Sequence, residues 1–222
     1  MRKLDREGLL GHHLFVAGTH ALYGYEARSG VLFDSDLTAT TDIDFLWDAR
    51  RRFTFLTHGI NERGVIGLLK QVDPSFKKTR TYRAENDDPY LVEIIRPERR
   101  DEAFRPNPKL TQAEEDLEPA AIEGLNWLLN APKFEEIVIG EDGAPLFMSC
   151  IDPRAFALHK LWLSKRDSRE GLKRRRDAAQ AAAVAAVAVQ FMGLKFDKGV
   201  LAGLSKQLTD GIEQLAKSKI ET

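Results

Sequence analysis

Asp42-Ile43-Asp44-Phe45-Leu46-Trp47-Asp48 alternates too strictly to be a helix. Ile43, Phe45 and Trp47 fall on one side of an extended chain, and Asp42, Asp44 and Leu46 fall on the other. The segment is therefore read as a strand with one apolar face and two carboxylates on the opposite face. At ~3.3 Å of rise per residue, the Asp42 and Asp44 Cα atoms lie ~6.5 Å apart, close enough for their side chains to converge on a hard cation.

Upstream, Leu14-Phe15-Val16-Ala17 reads as a buried strand. It runs into Gly18-Thr19 and a short helix over residues 20–28, with Thr19 as the expected N-cap and Gly30 as the stop. Residues 31–41 read mostly as loop. Apolar spacing from Ile60 to Val72 gives a helix that Asp73-Pro74 closes. Residues 79–84 and 90–96 form an expected hairpin around the turn-rich 85–89. In its second arm, Glu93 stands within an apolar run (Leu91 to Ile95), where an unpaired charge is expensive to bury.

The pattern changes near residue 105. Residues 97–120 are rich in proline and charge and read as a connector. A short helix is expected over 121–129, then a strand pair at 134–139 and 145–151. Asp152-Pro153 opens a helix with proline in its first turn. An alanine-rich helix over 173–192 and a last one over 200–217 complete the chain. The expected organisation is a core over residues 1–104 and, over 105–222, a connector, a short strand pair and a helical region. The alanine-rich helix suits close packing, including against a second subunit.

Composition removes several classes. The 222 residues suffice for a sizeable core. Lys plus Arg (33) balance Asp plus Glu (34), which excludes a globally basic coat but not a local basic patch. A single cysteine, Cys150, excludes an internal disulfide framework and suits a reducing cytoplasm. No apolar stretch approaches the ~20 residues of a membrane helix, and the first residues, with Asp5 and Glu7, do not read as a secretory signal.

The chemistry lies in a conjunction. Gly18 removes a side chain where backbone must approach a phosphate, the helix start offers free N–H groups, and Thr19 adds a hydroxyl. Asp42 and Asp44 can share one or two Mg²⁺ or Mn²⁺ ions, and Glu93 is the well-placed third carboxylate. Such ions activate an attacking hydroxyl and stabilise a leaving phosphate oxygen, the chemistry of phosphoryl or nucleotidyl transfer. Asp34 and Asp36 sit in a polar loop and read as surface, and Asp48 reads as a strand end. His12 and His13 lack partners at metal spacing. The three tryptophans read as core, and the basic run Lys173 to Arg176 as a solvated face.

The order of residues 15–22 (FVAGTHAL), 40–48 (TTDIDFLWD) and 90–97 (YLVEIIRP) resembles the DNA polymerase β-type nucleotidyltransferase superfamily. Residues 18–31 (GTHALYGYEARSGV) and 72–76 (VDPSF) look like a group of bacterial nucleotidyltransferase-fold proteins. The resemblance implies an α/β (α+β) fold: a mixed sheet flanked by helices, with a mainly helical C-terminal part. It implies that Gly18 and Thr19 hold an NTP, that Asp42 and Asp44 bind the metals, and that Glu93 binds metal and helps activate the acceptor hydroxyl. This chain departs from the pattern with Thr19 for serine, His20-Ala21 where relatives carry arginine, and Glu93 for aspartate.

Residues 152–180 look like the region that follows the core in toxin-type nucleotidyltransferases of abortive-infection and toxin–antitoxin systems. By that resemblance Lys160 contacts nucleotide phosphates and Asp177 supports the site, with Arg166 and Lys173 as weaker candidates. A solvated basic helix face is the plainer reading. The expected activity is transfer of an NMP from an NTP to an acceptor hydroxyl, with tRNA, a protein and a small molecule all open as acceptors. One rival is a non-catalytic interaction protein of the same fold, such as one arm of a toxin–antitoxin pair, whose partner would be a cognate antitoxin. Another is a metal-dependent glycosyltransferase, disfavoured by the upstream Gly-Thr. A haloacid-dehalogenase-like phosphatase fits worse, because Asp42 opens its strand instead of ending it.

Overall fold

The DIDFLW strand sits in the interior of a mixed sheet because both of its edges find partners. A computed structural model describes residues 1–50, 58–99, 109–197, 199 and 201–218. In chain order the elements are α1 (Arg2–Arg6), β1 (Leu14–Ala17), a 3-10 turn (Gly18–His20), α2 (Ala21–Ser29), α3 (Ser35–Thr38) and β2 (Asp42–Trp47). Next come α4 (His58–Val72), β3 (Lys77–Arg80), β4 (Arg83–Glu85), β5 (Leu91–Pro97), β6 (Ala120–Ile122) and α5 (Leu125–Asn130). The chain continues with β7 (Lys133–Ile139), β8 (Pro145–Ile151), α6 (Pro153–Ser164), α7 (Gly171–Gln190), α8 (Lys206–Thr209) and α9 (Ile212–Leu215).

The strands are ordered β3-β4-β5-β2-β1-β8-β7, with β6 alongside β5. β2 runs antiparallel to β1 and parallel to β5. The β7–β8 hairpin extends the sheet beyond β1, through a parallel β1–β8 pairing at Val16 and Cys150. Strands from both sides of residue 104 thus share one sheet, and the boundary expected there falls among residues 100–108, outside the described set. The α/β architecture with helices on the sheet and a helical C-terminal part is as expected from the sequence.

Side-chain alternation fixes what each face does. Ile43, Phe45 and Val92 point to the face covered by α4, where Leu68, Leu69 and Phe76 gather around them. Tyr25 on α2 packs edge-on against Phe134 and Phe156 and donates its hydroxyl to the Ile151 carbonyl. The small residues Ala181, Ala185 and Ala188 of α7 are buried and let α6 and α7 pack closely, so alanine serves an intrachain contact here. Asp152 caps α6 by accepting from Arg154 N–H, as its position before Pro153 leads one to expect. Trp47 is core, and Trp127 and Trp162 pack edge-on at 4.9 Å. Among the described residues no helix is long and apolar enough to cross a membrane.

Residues 31–41 are mostly loop, as expected, and hold the short α3, whose N-cap Asp34 accepts from Asp36 N–H. Three local expectations are corrected. Thr19 does not cap α2: it lies in the 3-10 turn, and the helix starts at Ala21 without a side-chain cap. The helix expected over 121–129 is divided between β6, drawn onto β5 by parallel pairing, and α5. The last expected helix contains two short ones, α8 and α9.

α4 is also interrupted, at Gly64, whose φ of 69° is open to glycine. Asp116 fills the break. It accepts from Ile66 N–H (3.1 Å) and the Thr111 hydroxyl (2.7 Å), and its own carbonyl accepts from Lys78 Nζ (2.7 Å). A Cβ at residue 64 would come within 2.4 Å of the Asp116 carboxyl carbon. Asp116→Ala leaves the buried Ile66 N–H and Thr111 hydroxyl without their acceptor, at a cost of about 1–3 kcal/mol, or several degrees in Tm. Thermal unfolding unchanged by that substitution would show that the carboxylate does not hold the kink.

Candidate active site

Parallel pairing sets Asp44 level with Glu93, and Asp42 level with Leu91. Residues level on adjacent strands share a face, so the three carboxylates lie on the side of the sheet opposite α4. On β1, Ala17 is level with Asp44, which brings the following Gly18 against the Asp44 side chain. A Cβ on Gly18 would lie 2.3 Å from Asp44 Oδ2, and φ there is +64°. Glycine is required at this position by the carboxylate as well as by the turn.

The last two helices close the site. Gly18, Thr19, Thr40, Asp42 and Asp44 line one cleft with Lys160 from α6, Arg169 from the α6–α7 connection, and Lys173, Arg176, Asp177 and Gln180 from α7. Asp177 is buried and clamps two cations, Lys160 Nζ on Oδ1 and Arg169 Nε on Oδ2, each at 2.8 Å. Gln180 is fully buried and donates to the Leu37 carbonyl (2.8 Å) and Thr19 Oγ1 (3.3 Å). Arg176 donates to the Leu37 and Ala39 carbonyls, tying α7 to the segment that leads into β2. Thr40 donates its hydroxyl to Asp42.

Of the residues singled out in the sequence, Gly18, Thr19, Asp42, Asp44, Lys160 and Asp177 converge on this cleft. Glu93 is beside them but engaged: Arg83, its partner across β4, places both Nε (2.6 Å) and Nη2 on Oε1. Lys173 reaches the cleft, while its expected i,i+4 partner Asp177 pairs elsewhere; Lys173 meets Glu170 at 3.6 Å. Arg166 turns away, paired with Glu123 and stacked on Trp162. Sequence reasoning missed Arg169, Arg176, Gln180 and Arg83. Three of these were within reach: Lys173, Arg176, Asp177 and Gln180 are spaced i, i+3, i+4, i+7 on one helix face, and Arg169 immediately precedes that helix.

Electrostatics follow the geometry. Burial, then the charges of Asp42 and Glu93, push the Asp44 carboxyl up to about 7, against the opposing pull of Lys160 and Arg169. Burial lowers Lys160 below the usual lysine range, and Asp177 counters that shift. Next to Asp42, His20 meets the Tyr90 hydroxyl at 2.9 Å, and burial lowers its pKa.

Three carboxylates and a hydroxyl are the donor set of a hard divalent cation. Asp44 is buried beside Asp42 and Glu93, whose charges add to the effect of burial in raising its pKa, and Arg83 contacts Oε1 of Glu93. The residues therefore fit Mg²⁺ or Mn²⁺ chemically. Among the described residues, however, no group of three His, Cys, Asp or Glu side chains is already spaced to hold an ion.

Asp44 also sets a pH dependence. Its folded pKa of about 7 lies above the unfolded value near 3.8, so the folded protein binds the extra proton between these limits. Stability from this group is therefore full below about pH 4 and is lost as pH rises through 7. Asp44→Asn removes that loss and is expected to raise stability at pH 8 by on the order of 1–4 kcal/mol, with little gain at pH 4. A variant less stable than the parent at pH 8 would contradict an Asp44 carboxylate disfavoured by burial and by its acidic neighbours.

A family described as Nucleotidyltransferase matches residues 1–202. No curated protein matches the chain. The crystal structure of an antigenic nucleotidyltransferase-like protein from Paracoccidioides brasiliensis is similar at 16% identity and a TM-score of 0.43, covering 99% of this chain and 89% of that one. With the family match extending over nearly the whole length, from the first strand through the helices that close the cleft, the chain belongs to the nucleotidyltransferase family.

Proposed function

We propose that the protein transfers a nucleoside monophosphate from an NTP to an acceptor hydroxyl, releasing pyrophosphate, in the manner of DNA polymerase β-type enzymes with toxin-type C-terminal helices. The observation that carries this reading is the shared face of Asp42, Asp44 and Glu93 beside a cleft whose opposite wall is basic.

The residues divide the work. The Gly18–Thr19 turn and the cations Lys160, Arg169, Lys173 and Arg176 bind the triphosphate, and their charges offset those of its oxygens. Asp177 is a positioning residue, because its two carboxylate oxygens are taken by Lys160 and Arg169. Asp42 and Asp44, with Glu93, would hold Mg²⁺ or Mn²⁺. Bound there, the ion supplies activation of the hydroxyl and neutralisation of the leaving phosphate. Glu93, at the edge of this carboxylate group, would also help activate the acceptor hydroxyl.

Incubation with α-labelled NTPs, Mg²⁺ and cell extract should label an acceptor, and EDTA should stop it. Asp44→Asn is expected to reduce labelling by at least about 10²-fold while circular dichroism stays unchanged. Labelling that survives Asp42→Asn/Asp44→Asn would refute the assignment.

A further inference from the structure

One buried polar side chain in the cleft wall has no part in the scheme above. Gln180, one turn beyond Asp177 on α7, is fully buried, yet it borders the cleft together with Thr19 and Arg176. Chemistry fixes the orientation of its amide. The nitrogen lies 2.8 Å from the Leu37 carbonyl oxygen and 3.3 Å from Thr19 Oγ1. A carbonyl only accepts, so an amide turned the other way would set two acceptor oxygens against each other. The nitrogen therefore faces Leu37, with one N–H for that carbonyl and the other for Thr19.

The consequence falls on Thr19. A hydroxyl carries two lone pairs and one proton. Gln180 occupies a lone pair of Thr19 Oγ1, and the Thr19 proton meets no acceptor among the described residues, the cleft carboxylates included. The side of the hydroxyl left open is the cleft, with Lys160, Arg169, Lys173 and Arg176 in its wall. These four side chains only donate, so none of them can take the proton. A phosphate oxygen can.

Two observations separate this arrangement from plain packing. The Leu37 carbonyl already accepts from Arg176 Nη2 at 3.2 Å, so it does not depend on Gln180. Gln180 Oε1 is itself buried without a hydrogen-bond partner, a state that costs stability. Folding alone gains little from a glutamine held in this way.

We propose that Gln180 is a positioning residue for the triphosphate: by donating to Thr19 Oγ1, it turns the Thr19 hydroxyl proton toward a phosphate oxygen. The proposal rests on the nucleotidyltransfer reading and adds to that site a side chain that acts through Thr19. Without Gln180, the Thr19 hydroxyl is free to offer its lone pairs to the neighbouring cations. With Gln180, the hydroxyl is set as a donor before the anion arrives, and no reorientation is needed on binding.

The test is a double-mutant cycle on the full chain, read by titration calorimetry. Inorganic tripolyphosphate with Mg²⁺ is the probe, which makes the reading independent of base and acceptor. Thr19→Val removes the hydroxyl at nearly constant shape and should weaken binding about tenfold or more. Gln180→Met keeps the length of the side chain without its donor and should weaken binding about three- to tenfold. In the Thr19→Val background the same change should have no effect, since no hydroxyl is left to orient. In Thr19→Ser, which keeps the hydroxyl, the loss should return. Melting curves check that each variant folds, and Gln180→Leu takes the place of Gln180→Met if methionine is not accommodated. Parental affinity in the Gln180 variant would overturn the proposal. A loss of equal size with and without the Thr19 hydroxyl would overturn it too, because Gln180 would then act on structure alone. Either result leaves the nucleotidyltransfer reading in place provided the parent binds tripolyphosphate, whereas a parent that does not bind it would remove both.

Discussion

Crowding of like charge is the constraint around which this molecule is arranged. Asp42 and Asp44 are one residue apart on β2, and parallel pairing sets Glu93 level with Asp44 on the next strand. Burial, then the charges of Asp42 and Glu93, push the Asp44 carboxyl up to about 7. The neighbouring features answer that charge. Gly18 gives up its side chain to admit Asp44, Arg83 takes one oxygen of Glu93, and Lys160 and Arg169 pull the Asp44 pKa back down. A cluster that costs stability in the isolated protein is what a site for cations and polyphosphate requires.

The helical C-terminal part belongs to this arrangement through direct contacts. Asp177 is buried between Lys160 and Arg169, while Arg176 and Gln180 grip the carbonyls of Leu37 and Ala39 just before β2. The same helix therefore positions cations over the cleft and anchors the strand that carries the carboxylates. Its other face is alanine and valine, which allows α6 to lie close.

Much of this was legible in the chain, and the reasons differ by feature. The β2 strand and its acidic face follow from a period of two, and the α6 cap from Asp152-Pro153, because both signals are local. The level placement of Glu93 beside Asp44 required the register of strands almost fifty residues apart, which only the folded sheet determines. Residues 121 and 122 are helical by local pattern, yet pairing with Ile95–Pro97 of β5 draws them, with Ala120, into β6. The kink in α4 depends on Asp116, fifty residues downstream. The basic run over 173–176 looked solvated because charge alone does not reveal direction; its helical spacing with Asp177 and Gln180 does.

The most direct measurement is the titration of the Asp44 side-chain carboxyl by carbon-detected NMR, with and without Mg²⁺. The expected result is a pKa near 7 in the metal-free protein, falling by roughly two units or more when Mg²⁺ is added. A carboxyl that titrates near the ordinary value of about 4 and ignores the ion would contradict a shared cation site at Asp42, Asp44 and Glu93.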